Sequence, residues 1–265
     1  MRWTAGLAFA FLVIGTTTVA IAHPEDEFCV PGQDGLDPAL CRALAALDSS
    51  QDSVSNEDLA PLLDDAGNVR GFWSTFGLYV KIGVGHILPG GLDHILFVLA
   101  LFLGSASGRA LIIQISAFTL AHTATLGLAA AGVITPSPAI VEPVIAFTIA
   151  FVAVENLVFR DMHWWRPLVV FAFGLVHGLG FAGFFGELGL PSGQFLSGLI
   201  GFNVGVEIGQ LGVVAAAFVL ALLWRRRLDE TPDGDRYRRF LVMPLSLSIG
   251  AVGLWWTIER TLAYA

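Results

Sequence analysis

Residues 86–103 read HILPGGLDHILFVLALFL. Two imidazoles and a carboxylate, His86, His94 and Asp93, stand at the head of a run with no polar residue from Ile95 to Leu103. Such a run suits a membrane interior. Pro89, Gly90 and Gly91 between the histidines disfavour a continuous helix, because proline removes a backbone donor and glycine is conformationally loose. A break inside a span frees backbone carbonyls, and broken spans are where transporters bind cations near mid-membrane. If the chain unwinds there, His86, Asp93 and His94 converge. The plainer alternative is a proline kink with Asp93 capping the second half, although capping does not require two flanking histidines.

The rest of the chain agrees with a membrane setting. Of 265 residues 55% are hydrophobic and 14% charged, against about a quarter charged in soluble domains. Hydropathy gives six spans of roughly 20 residues, near 86–104, 110–131, 139–159, 167–186, 195–223 and 240–262. The aromatic segment GFWSTFGLYVKIGVG before the first is short and more polar. It reads as interfacial or as the first half of a broken helix. The expected fold is an all-α integral membrane protein of about six transmembrane helices, the first broken at Pro-Gly-Gly, occupying 71–265.

Residues 1–22 carry Arg2, an apolar core and the small-residue site Ala20-Ile21-Ala22, the pattern of a secretory signal peptide; an uncleaved anchor is the alternative. Residues 23–70 form an acidic extracytoplasmic segment, with eleven Asp and Glu against Arg42 and Arg70. They hold Cys29 and Cys41, which export would favour as a disulfide. Acidity confined to one segment gives no reason to expect a nucleic-acid partner. Arginines set the orientation. Arg109, Arg160, Arg166 and the cluster Arg225–Arg227 with Arg236, Arg238 and Arg239 occupy alternate turns. The opposite turns, VITPSPAI and GELGLPSG, carry no Lys or Arg. The positive-inside rule then places the amino-terminal segment and the carboxyl terminus outside the cytoplasm of a bacterial inner membrane.

Ionisable residues inside spans cost about 2.5–3.5 kcal/mol each on the lenient scale. Here they include His86, Asp93, His94, His122, Glu142, Glu155 beside Asn156, His177 and Glu207. At about 100° per residue, Asn203, Glu207 and Gln210 fall on one stripe, with Gly201, Gly205 and Gly209 opposite. The glycines suit close helix packing. Each polar residue alone has a structural reading: His122 or His177 as an interhelical hydrogen-bond partner, Glu142 near a helix start, Glu155 paired with Arg160. Together, four imidazoles and four carboxylates with arginine only at the span edges point to protons or metal cations as the neutralising charge. Imidazole with carboxylate suits Ni²⁺, Co²⁺ or Zn²⁺.

The segments HILPGGLDHILFVLALFL, FTLAHTATLGLA, VEPVIAFTIAFVAVENL, FGLVHGLGFA and FNVGVEIGQL together resemble the HupE/UreJ family of hydrogenase and urease accessory membrane proteins, over about 72–225. The spacing from His86 to Asp93 is one residue longer than the family's usual motif, as in a divergent branch. The resemblance implies a helical inner-membrane protein associated with nickel or cobalt permeation, possible links to a metalloenzyme maturation system, and His86, Asp93 and His94 at the motif positions.

The expected function is thus a permease or binding protein for a divalent transition metal, nickel or cobalt foremost, with zinc or copper also compatible. Expected ligands are His86, Asp93, His94, His122, His177 and Glu207. Glu142, Glu155, Asn156, Asn203 and Gln210 form a secondary polar or gating set, and the lipid bilayer surrounds the whole. An intramembrane metal-dependent enzyme is an alternative, but no His-Glu-x-x-His helix or serine paired with a basic residue is found, so no enzyme activity is expected. An accessory or assembly role using residues 23–70 is the third reading.

Overall fold

The computed structural model describes residues 71–105, 107–181, 194–225 and 235–264. The signal-peptide, acidic-segment and Cys29–Cys41 expectations lie outside these residues. Among the described residues every regular element is helical. They are α1 (Phe72–Gly85), α2 (Leu92–Gly104), α3 (Gly108–Ala130), α4 (Pro138–Val158), α5 (Arg166–Gly180), α6 (Phe195–Arg225) and α7 (Met243–Ala263). A wide turn, His86–Gly90, joins α1 to α2, and another, Arg238–Val242, leads into α7.

Four helices are long and apolar enough to cross a bilayer, and a fifth crossing arises if α1 and α2 count as one bent span. The fourth expected span, 167–186, is described as the 15-residue α5, and its expected end lies outside the described residues. The aromatic segment before His86 is a full helix, and the two halves meet at 78°. Leu88 is extended there (φ −124°, ψ 108°), the Leu88–Pro89 peptide is cis, and the helical run restarts at Leu92. This is the break anticipated from Pro-Gly-Gly, with the first half of the span beginning earlier than the expected 86.

Three helix pairs dominate the packing: α1 with α6, α3 with α5, and α4 with α7. Small residues make each possible. Gly201, Gly205 and Gly209 of α6 face Phe76, Val80 and Ile87, and a Cβ on Gly209 would lie 2.7 Å from that of Ile87. Gly174 and Gly178 of α5 face Phe118 and His122, and Gly253 of α7 faces Ala146 and Ala150. The first two pairs therefore run parallel and the third antiparallel. Helix α2 sits between them, touching α4, α6, α7 and α3, with Phe97, Ala100 and Leu101 fully buried. Large apolar side chains such as Leu120, Ile140, Leu168 and Leu220 face outward. A helical bundle with an apolar exterior and polar residues inside is a multi-pass membrane protein.

Candidate metal centre

The break in the first span gathers the histidines. Eight residues of unbroken helix would separate His86 from His94 by about 12 Å along the axis. The bend instead leaves their ring centroids 4.9 Å apart. From α2, His94 also meets His122 of α3 at 5.8 Å and His177 of α5 at 5.1 Å. All four imidazoles are buried, with exposures of 6% for His86 and His94, 0% for His122 and 1% for His177. Four separate elements thus contribute to one chamber, a packed imidazole cluster with His94 at its centre.

Aromatic rings wall the chamber. Phe97 and Phe118 pack together at 5.1 Å, and each contacts His177. Phe181 and Phe202 stack at 4.8 Å, and each contacts His86. Of the six histidines in the chain, His163 stands apart, between Phe159 and Trp165 in the α4–α5 connection.

The outer atoms of two rings are held by hydrogen bonds. His122 Nδ1 lies 3.0 Å from Asn203 Oδ1, and His177 Nε2 lies 2.9 Å from Thr148 Oγ1. The other nitrogens of these rings, His122 Nε2 and His177 Nδ1, are buried without a hydrogen-bond partner, as is His94 Nε2. Unsatisfied buried nitrogens are costly, and a metal ion is one way to satisfy them. With metal–nitrogen bonds of about 2.0–2.1 Å, imidazole centroids sharing an ion lie roughly 5–6 Å apart, the spacing seen around His94. The rings of His86, His122 and His177 are nevertheless edge-on to that of His94. Among the described residues no three His, Cys, Asp or Glu side chains form a ready-made metal-binding group. Ligation by three of these imidazoles therefore requires rings to move; with His122 and His177 keeping their hydrogen bonds, the moving rings are those of His86 and His94.

The expected carboxylate ligands lie elsewhere. Asp93 points away from its neighbour His94 and receives two hydrogen bonds, 2.9 and 3.0 Å, from Arg260 of α7. Arg260 also donates to the Glu142 carbonyl, and Tyr264 donates to the Glu142 carboxylate. Adjacent helix positions face directions about 100° apart, so Asp93 and His94 cannot share one face. Glu207 accepts from Ser116 at 2.8 Å. It lines an open groove of about 550 Å³ between α3 and α6 with Thr119, Thr123 and Asn203. Gln210, on the same stripe, accepts from Thr119.

Glu155 and Asn156 belong to the opposite end of α4. Buried Arg166 meets Glu155 at 3.5 Å and donates to Asn156 Oδ1 and the Gly104 carbonyl at 3.0 Å. Asn156 donates to the Ala100 carbonyl at 2.7 Å, so the pair ties down the end of α2. These contacts correct one expectation and add to another. Arginine does neutralise carboxylates inside the bundle, at Asp93 and Glu155, and Glu155 has Arg166 as a buried partner, which the expected pairing with Arg160 did not foresee. Thr148 escaped the sequence reading. Its only signal is a hydroxyl in the apolar run VIAFTIAFVA.

The fold and the buried, aromatic-walled imidazole cluster define a polytopic helical membrane protein with ionisable side chains sequestered inside its bundle. A family model described as HupE / UreJ protein matches residues 64–260. The chain belongs to the HupE/UreJ family. No curated protein and no solved structure matches it.

Proposed function

We propose that the protein is a bacterial inner-membrane permease or binding protein for a divalent transition metal, nickel or cobalt foremost. His94, His86, His122 and His177 supply the ligands. The observation that carries this reading is the meeting of imidazoles from four separate elements in one buried chamber, three of them with an unpartnered nitrogen. Nitrogen ligands suit nickel, cobalt, copper and zinc better than magnesium or calcium. Membership of the HupE/UreJ family favours nickel or cobalt and a connection to metalloenzyme maturation. Asp93 and Glu207 serve as gating acids beside the path rather than as resting ligands. Inward movement of a dication gains about 4.6 kcal/mol per 100 mV of membrane potential, and the acidic segment 23–70 concentrates cations at the outer mouth.

The test is binding and uptake together. Purified full-length protein is titrated with Ni²⁺ and Co²⁺, and uptake is followed in proteoliposomes under an inside-negative potential. Both are expected in the wild type, and His94→Ala is expected to lower both by at least about tenfold. Equal binding and flux in His94→Ala would remove the chamber as the metal site. Binding without flux would select a binding protein over a permease.

A further inference from the structure

We propose that Thr148 and Asn203 fix the tautomers of His177 and His122, so that the chamber offers an uncharged, all-imidazole donor set selective for nitrogen-preferring cations. The inference rests on the metal reading above and adds two positioning residues and a selectivity to it.

The assignment follows from counting donors. Thr148 Oγ1 lies 2.7 Å from the Ile145 carbonyl, which can only accept. The single hydroxyl proton of Thr148 is spent there. The contact with His177 Nε2 must then use a lone pair of the hydroxyl oxygen, so Nε2 carries the proton. A neutral imidazole has one N–H and one lone pair. The lone pair of His177 is therefore on Nδ1, the nitrogen without a hydrogen-bond partner. Asn203 gives the same result by another route. Its Nδ2 donates to the Leu199 carbonyl at 2.8 Å, which fixes the amide with Oδ1 toward His122. An amide oxygen only accepts, so His122 Nδ1 carries the proton. Its lone pair is on the unpartnered Nε2. Two different side chains on two different helices thus enforce opposite tautomers, and both leave the other ring nitrogen bare and buried.

Holding a ligand imidazole through its second nitrogen sets ring orientation and basicity in metal sites. Thr148 and Asn203 are themselves buried, at 1% and 4% exposure, Asn203 at the edge of the groove beside Glu207. The carboxylates that would make the site attractive to hard cations are engaged elsewhere, Asp93 by Arg260, Glu155 by Arg166 and Glu207 by Ser116. Magnesium and calcium require oxygen ligands and gain little from bare imidazoles. Nickel, cobalt, copper and zinc do gain.

Two measurements test this on the full-length protein. In metal-free wild type, the ¹⁵N shifts of the histidine rings are expected to report Nε2–H for His177 and Nδ1–H for His122; the reverse assignment at either ring would overturn the proposal. In Ni²⁺ titrations, Thr148→Val and Asn203→Leu are expected to lose about 10–100-fold in affinity, the usual effect of removing such a partner. Thr148→Ser, which keeps an acceptor oxygen without adding charge, is expected to bind within a few fold of wild type, and Mg²⁺ is expected not to compete. Unchanged affinity in folded Val and Leu variants overturns the tautomer role alone, as does equal loss in the Ser variant. A wild type that binds no transition metal overturns the metal reading itself, and the ¹⁵N shifts still judge the tautomers separately.

Discussion

At the scale of single residues, the polar side chains in the bundle divide between the histidine chamber and the ion pairs that brace the helices around it. Asp93 and Arg260 show the second role. Both side chains are about one-quarter exposed, so their attraction is partly screened, and we expect a coupling energy of about 1 kcal/mol. Asp93→Asn or Arg260→Gln alone is predicted to lower the unfolding midpoint in detergent. The double variant should lose less than the sum, because neither then strands an uncompensated charge. A strictly additive double-mutant cycle would mean that the pair contributes nothing to stability. Residue chemistry was legible in the sequence to this extent: that His86, His94, His122 and His177 were worth grouping followed from the cost of placing them in spans. Which carboxylates would join them did not. Arg260 sits near the end of an apolar run and reads as an edge residue until α7 is seen packed against α4, with its guanidinium beside Asp93.

At the scale of elements, glycine seams determine which helices touch. The periodicity of α6 had already separated a glycine face from a polar face, and both found partners. The glycines meet α1, and Asn203, Glu207 and Gln210 meet α3. What periodicity did not reveal was that the aromatic segment before His86 would be the helix in that seam. Its mixed composition resembles an interfacial segment, and only close packing on Gly201, Gly205 and Gly209 makes it a core helix. Gly205 faces the Val80 carbonyl and Gly83 too closely to admit a methyl group. Gly205→Ala is therefore predicted to destabilise by about 1–3 kcal/mol through overpacking. Gly212→Ala, whose new Cβ would meet only Leu88 at an ordinary 3.7 Å, should be close to neutral. Thermal unfolding of the two variants side by side checks the contrast, and equal midpoints would show that the seam is slack.

At the scale of the whole molecule, the pairings define helices that alternate in direction from α2 to α7, with α1 and α2 forming one bent span. Asn156 reaches Ala100 and Arg260 bridges Asp93 to Glu142, so α2 and α4 run in the same direction. Ser116 pairs with Glu207 and His122 with Asn203, so α3 and α6 run oppositely. With α1 parallel to α6 and α7 antiparallel to α4, the start of α1 and the end of α7 lie at the same end of the bundle. The alternation of arginine-rich and arginine-free turns implies the same relative topology. The absolute orientation rests on those arginines alone, and it makes a separate prediction. Asp161 lies in the arginine-bearing α4–α5 turn, and Thr135 lies in the arginine-free α3–α4 turn, both exposed. In a background with Cys29→Ser and Cys41→Ser, a membrane-impermeant maleimide added to spheroplasts should label Thr135→Cys directly and Asp161→Cys only after permeabilisation. The reverse pattern would invert the protein in the membrane. The inside-negative potential would then drive a dication from the Asp161 side toward a cytoplasm bounded by the Thr135 turn, and the acidic segment could no longer feed the outer mouth.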